Sequence, residues 1–266
     1  MNKKLIRVIS LLTAILMVFS LCACDTTADD EDEEIKYASA VPATKSEIVD
    51  RFNLAISTAD ASNPAVEYSM DQSAGGAECE NSNLKAAFKT VANWVTDESF
   101  SQSTKYGESA TNILPANGVD KIEKLLVSDV RSAYITDNKA DKTYTIIINI
   151  NGEENPEQAD SIYGKFYKIS KDEDILANFD VVKNVMTVSD YDAQYGVGTI
   201  KATLDKTTDH ILKLELSREV RVETEVTGVG TLASVGKDVP LSFNYSSTEK
   251  FSFDWDNPST ADAIEA

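Results

Sequence analysis

The chain has 266 residues, with 44 acidic against 25 basic side chains and a formal net charge of −19. That charge excludes nucleic acid and anionic head groups as natural partners, because both repel it, and leaves basic proteins, cationic peptides or metal ions. With three cysteines and one histidine, a disulfide framework and the common multi-histidine zinc sites are excluded as well.

The first element is a short basic stretch, with Lys3, Lys4 and Arg7, followed by Val8 to Leu21, apolar apart from Ser10, Thr13 and Ser20. This is the length of a signal-peptide core. As a helix it rises about 21 Å, short of the roughly 30 Å of a bilayer core. It ends in Leu21-Cys22-Ala23-Cys24, which resembles the lipobox of bacterial lipoproteins. The resemblance implies that the Cys24 thiol receives a diacylglyceryl group and that signal peptidase II cuts before it. Leu21 fills the aliphatic position and Ala23 the small one, while Cys22 stands where Ala or Ser is more usual. Two acyl chains make a stable anchor where one does not. Asp25 resembles the signal that keeps such proteins at the inner membrane of diderm bacteria. The expected location is the outer face of the cytoplasmic membrane, with the membrane a partner through the lipid on Cys24.

Residues 24–44 carry the run Asp29 to Glu34 and read as an acidic, self-repelling disordered tether. The remainder, 45–266, reads as a single α+β domain, helices mainly in 45–127 and sheet mainly in 130–256. Thr44-Lys45-Ser46-Glu47 matches a capping box, and Ile48, Val49, Phe52, Ala55 and Ile56 predict a helix over 45–59. Ala65 to Met70 reads as a short strand. Helical spacing returns from Ser82, through Leu84, Ala87, Phe88, Val91 and Val95, and again over 119–127.

From residue 130 the period changes to two. Strands are predicted at 132–136, 143–150, 161–169 and 181–188, with a short helix at 172–179. The clearest signal is C-terminal. Thr199 to Leu204 alternates, and Ile211 to Val226 carries Leu212, Leu214, Leu216, Val220 and Val222. Gly228 and Gly230 mark a bend or bulge. Val239 to Trp255 alternates except at Ser246 to Lys250, where a bulge or bend is predicted. Strands this long must curve as twist accumulates. The fold class is therefore α+β: a curved antiparallel sheet with long C-terminal strands, covered on one face by N-terminal helices. It is similar, by architecture alone, to the half-barrel sheets of bacterial lipoprotein carriers.

Little chemistry is legible. His210 lies in a polar turn, a poor place for a nucleophile's base. Ser82 to Lys85 and Ser247 to Lys250 have the spacing of a serine–lysine pair, without its companion motifs. Asp137 to Asp141 lacks a calcium loop's glycine and distal acid, and in Asp190 to Gly196 the glycine comes one position late and Lys201 stands where the acid should be; both read as turns. Cys79 sits between Glu78 and Glu80, which raise rather than lower a thiol's pKa. Trp94 and Trp255 fall on apolar faces and read as core. No cofactor, metal or catalytic residue is expected. The predicted role is a non-enzymatic surface interaction or structural protein that binds another envelope protein. The alternatives are a carrier or sensor for a lipid or other apolar ligand, and a carboxylate-dependent hydrolase.

Overall fold

A computed structural model of the protein describes residues 40–86, 88, 99–111, 113–114, 124–157, 161–167, 169, 184 and 186–256. All fall within one compact unit, Ile35–Ala266. Leu21, Ala23, Cys24, the tether up to residue 39, Trp94 and the helix expected at 172–179 lie outside the described residues.

Helix α1 (Lys45–Ser62) opens on the expected capping box. The Glu47 N–H donates to Thr44 Oγ1 at 3.3 Å and the Thr44 N–H to Glu47 Oε2 at 3.0 Å, so two orphan helix donors are satisfied reciprocally. Ile48, Val49, Phe52, Ala55, Ile56 and Ala59 form its buried stripe. It stops at Asn63, which takes the left-handed conformation (φ 50°) and donates to Ala59 O.

Among the described residues, nine strands form one antiparallel sheet: β1 (Ala65–Ala74), β2 (Ser99–Thr104), β3 (Val130–Asn138), β4 (Thr143–Ile150), β5 (Glu153–Glu154), β6 (Met186–Tyr195), β7 (Gly198–Asp205), β8 (Ile211–Gly228) and β9 (Val239–Asp254). The main path runs β2-β1-β9-β8-β7-β4-β3. β8 is long enough for two partners on one side, β7 along its first half and β6 along its second. The sheet is curved and does not close into a barrel. Helix α1 packs on β3, β4 and β8. Ile146, Ile148, Ile150, Ile200, Ala202, Leu204, Leu214 and Leu216 are buried in the same core as its stripe, each large aliphatic side chain contributing about 1.5–3 kcal/mol relative to exposure.

Several expectations are corrected. Residues 161–169 are not a strand: Ile162–Phe166 is a short helix, α2. Ser161 Oγ accepts from Gly164 N at 2.8 Å, and the Glu153 carboxylate accepts from Ile162 N and Tyr163 N at 3.0 and 2.8 Å. Three N-terminal donors are thereby met, which no periodicity count registers. Residues 190–195, read as part of a turn, belong to strand β6, whose register shifts between Val188 and Asp190 and hides its alternation. Residues 124–126 are not helical and 127–129 form a turn; Asn53 on α1 holds the Leu125 backbone at both N and O, at 2.9 Å each. Residues 82–86 are helical, with Asn81 Oδ1 capping Asn83 N and Leu84 N. Strand β2, Ser-Phe-Ser-Gln-Ser-Thr, was not anticipated, since its alternation carries one large apolar residue. At Gly228 the chain leaves the sheet for a 3-10 helix, Gly230–Val235. No bulge interrupts 246–250: β8 and β9 pair without a register shift from Lys213–Ser252 to Val226–Val239.

Candidate functional site

The unbroken register of β8 and β9 puts two sets of polar residues on opposite faces. On the outer face, Asp192 of β6 pairs with Glu223 of β8, which pairs with Ser242 of β9, and Glu78 bridges to Ser242. One face of this row, with Glu80 and Glu225, lines a groove of about 580 Å³ that Cys79, Pro240 and Leu241 complete. A volume in this range suits a small ligand or a peptide side-chain cluster. Arg221 stands at its rim. Its Nη2 donates to Glu78 Oε2 at 3.1 Å and to Ser242 Oγ at 3.0 Å, and its Nε to Glu223 Oε1 at 3.0 Å. The Arg221 hydrogen bond holds the Glu78 carboxyl below its ordinary value.

On the inner face, Arg218, Ser247 and Glu249 are buried at 7, 2 and 4 % exposure within largely apolar rows. Arg218 lies directly opposite Ser247. Its guanidinium carbon is 5.2 Å from the Tyr167 ring centre and 5.9 Å from that of Tyr195. Burial alone would push the Arg218 pKa down; Tyr245, Glu249, Tyr195 and Tyr167 more than offset it, and the group lies above its ordinary value. Tyr68 donates to Glu249 Oε2 at 3.1 Å. Helix α2 aims two more phenols at the same region: Tyr163 donates to Gly196 O at 2.5 Å, Tyr167 to Ser217 O at 3.1 Å. Burial raises the Tyr167 pKa well above its ordinary value, so the ring is a neutral wall for the cation.

The sequence candidates are dispersed. Ser247 faces inward and Lys250 outward, because residues three apart on a strand occupy opposite faces; that serine–lysine pair cannot form. Ser82 and Lys85 share a helical turn without a mutual hydrogen bond. His210 stacks on Trp255, ring centres 3.8 Å apart, while Trp255 Nε1 donates to Ile211 O at 2.7 Å. Asp137 pairs with buried Lys206 at 2.5 Å. Cys79 is a half-buried free thiol in the acidic groove. Among the described residues no group of three or more His, Cys, Asp or Glu is arranged to hold a metal ion, and no helix is long and apolar enough to cross a membrane. The Glu47 and Glu78 carboxyls, through hydrogen bonds to backbone N–H groups and to Arg221 respectively, and that of Asp205 lie below their ordinary values. Sequence reading missed Arg218, Ser247 and Glu249, although the signal was present: the period-two phase of Leu214 and Leu216 runs through 218, and that of Phe243 and Phe251 through 247 and 249.

No protein-family description, curated protein or solved structure matches this chain.

Proposed function

We propose that the protein is a lipoprotein held on the outer face of the cytoplasmic membrane by a diacylglyceryl group on Cys24. Its domain is a non-enzymatic interaction module that engages a cationic segment of another envelope protein. The acidic groove on the outer face carries this reading: Glu78, Glu80, Asp192, Glu223 and Glu225 converge on one concave surface. Five carboxylates against the single rim cation Arg221 leave an excess of negative charge in the concavity, and such a field steers and orients a partner of the opposite sign. The export stretch ahead of Leu21-Cys22-Ala23-Cys24 supports the anchor. An apolar cargo between sheet and helices is the weaker reading, because Arg218 and Glu249 stand in the middle of the inner face.

Two measurements test the two halves. Cys24→Ala should leave the protein unprocessed or release it from membranes; a variant processed and retained like the wild type removes the anchor. For the groove, a decalysine peptide serves as probe. Glu223→Lys with Glu225→Lys should weaken its binding about tenfold, roughly 1.4 kcal/mol. The same charge change at exposed Asp50 and Asp141 should weaken it far less. Equal losses from both pairs would mean that net charge alone attracts the peptide, and the groove would lose its role.

A further inference from the structure

Among the described residues strand β3 ends the sheet, with β4 as its one strand partner. Residues of an antiparallel ladder turn their backbone groups alternately toward and away from the neighbouring strand. The Asn151 N–H donates to Asp129 O across the ladder at 3.2 Å. Carried through the bulge between Val130 and Ser132, that phase turns the N–H and C=O of Ala133 and Ile135 away from β4. Lys45 Nζ meets the first outward carbonyl, that of Val130, at 2.9 Å. No described group meets those of Ala133 and Ile135, although both residues are half-buried.

Exposed edges are ordinarily guarded by a charge or a proline in mid-strand. The stretch Ser132 to Thr136 has neither; the bulge and the strand's two charges, Arg131 and Asp137, stand at its ends. At its centre Tyr134 is 50 % exposed, and Thr143 to Ile150 of neighbouring β4 is uncharged as well. A chain of net charge −19 repels its own copies over most of its surface. At this edge two sheets can meet without setting carboxylate against carboxylate. The far edge strand, β2, lies beside Glu67 and Asp71 of β1, which would face their own copies across it.

We propose that two copies of the chain pair antiparallel along β3, with the two-fold axis at Tyr134, so that the sheet continues from one copy into the other. Ala133 and Ile135 of one copy exchange both backbone bonds with Ile135 and Ala133 of the second. The two Tyr134 rings meet at the axis, and Ser132 lies opposite Thr136. Arg131 falls opposite Asp137, whose carboxylate keeps Lys206 and is still 40 % exposed, so that Arg131 arrives as a second cation at each end. Like charges directly opposite destabilise a strand pair, and they reject the neighbouring registers. Centring the pair on Ile135 sets Arg131 against Lys139, and centring it on Ala133 sets Asp129 against Asp137. A strand complementary to itself in this way makes a closed, isologous dimer. The pairing is independent of the groove and of the anchor.

The test uses the full chain, in membranes and in non-ionic detergent. Under mild oxidation Tyr134→Cys should give a disulfide-linked dimer, because the two residues at the axis lie about 4.5 Å apart at Cα. Ser132→Cys alone should not, since its two thiols stand four residues apart along the strands, about 13 Å. Mixed with Thr136→Cys it should crosslink again. The wild-type chain, with its own cysteines, gives the background. In sedimentation equilibrium Tyr134→Lys, which sets two ammonium groups at the axis, should weaken the dimer about tenfold or more. Leu54→Lys, at a 59 % exposed position on α1, should leave it unchanged. A wild-type chain that stays monomeric at high micromolar concentration overturns the proposal. So does Tyr134→Cys at background, equal crosslinking by Ser132→Cys alone, equal weakening by Leu54→Lys, or capture in membranes of a different protein in place of a second copy.

Discussion

Asp205 holds the turn between β7 and β8 with one oxygen. Its Oδ1 accepts from Thr207 N at 2.8 Å, Thr207 Oγ1 at 2.5 Å and Thr208 N at 3.0 Å. Partial burial raises its pKa, and these bonds more than reverse that, leaving it below the ordinary carboxylate value. A carboxyl with a lowered folded-state pKa contributes stability that is complete above its unfolded value and is lost as pH falls through the folded one. Asp205→Asn should therefore cost about 0.5–1 kcal/mol at neutral pH, after allowance for solvent screening. The difference from wild type should shrink as pH falls below about 4. Urea midpoints of both proteins from neutral to acid pH check this, and a constant difference would remove the ionic contribution. At the same scale, Gly198 lets α2 dock: a Cβ there would lie 2.8 Å from the Tyr163 hydroxyl and 3.0 Å from that of Tyr167. Sequence gave no hint of this role, because the two phenols come from a segment whose caps, Ser161 and Glu153, lie off any hydrophobic period. Ser247 and Glu249 were passed over for another reason. An alternation that turns polar invites a bulge as its explanation, and only pairing with β8 shows that the strand continues.

Helix α1 is the element that sequence predicts best, and its attachments explain why. The Thr44–Glu47 box and the stripe through Phe52 are local signals that tertiary packing reinforces. What sequence does not show is the clamp at its centre. Arg51 Nη1 donates to Asp209 Oδ1 at 2.8 Å and to Tyr144 OH at 3.0 Å, and Tyr144 donates to the same carboxylate oxygen at 2.7 Å. Arg51 and Asp209 are 13 and 18 % exposed, so the pair is worth more than a surface ion pair. Three elements far apart in sequence meet there: α1, β4 and the β7–β8 turn. Arg51→Met should destabilise by about 2–3 kcal/mol, because it strips a largely buried carboxylate of its cation. In a double-mutant cycle with Asp209→Asn the two losses should fall short of additive by about 1 kcal/mol or more. Additive losses would show that the two side chains act independently. Strand β2 marks the opposite limit. Its serines carry little apolar signal, and pairing with β1 from Val66–Thr104 to Asp71–Ser99 decides its conformation.

At the scale of the molecule, charge and fold pull in different directions. The curved sheet gathers its apolar residues on one face, which long alternating strands made legible, and it spreads carboxylates over the other. With a net charge of −19, these repel one another more strongly in the compact state than in the expanded chain. The described surface ion pairs offset little of this: Lys201–Glu215, Arg221–Glu223 and Lys250–Asp71 are a third or more exposed on both sides, and such pairs are worth about 0–1 kcal/mol each. Salt screens both effects, but the long-range repulsion is the larger. Raising sodium chloride from about 20 mM to 300 mM shortens the screening length from about 20 Å to 6 Å. The urea midpoint should rise over that interval. Glu223→Lys with Glu225→Lys should reduce the rise, since it removes part of the densest patch. A midpoint that falls with salt would mean that specific ion pairs outweigh the net field, and the acidic groove would then be a place where charge holds the fold together.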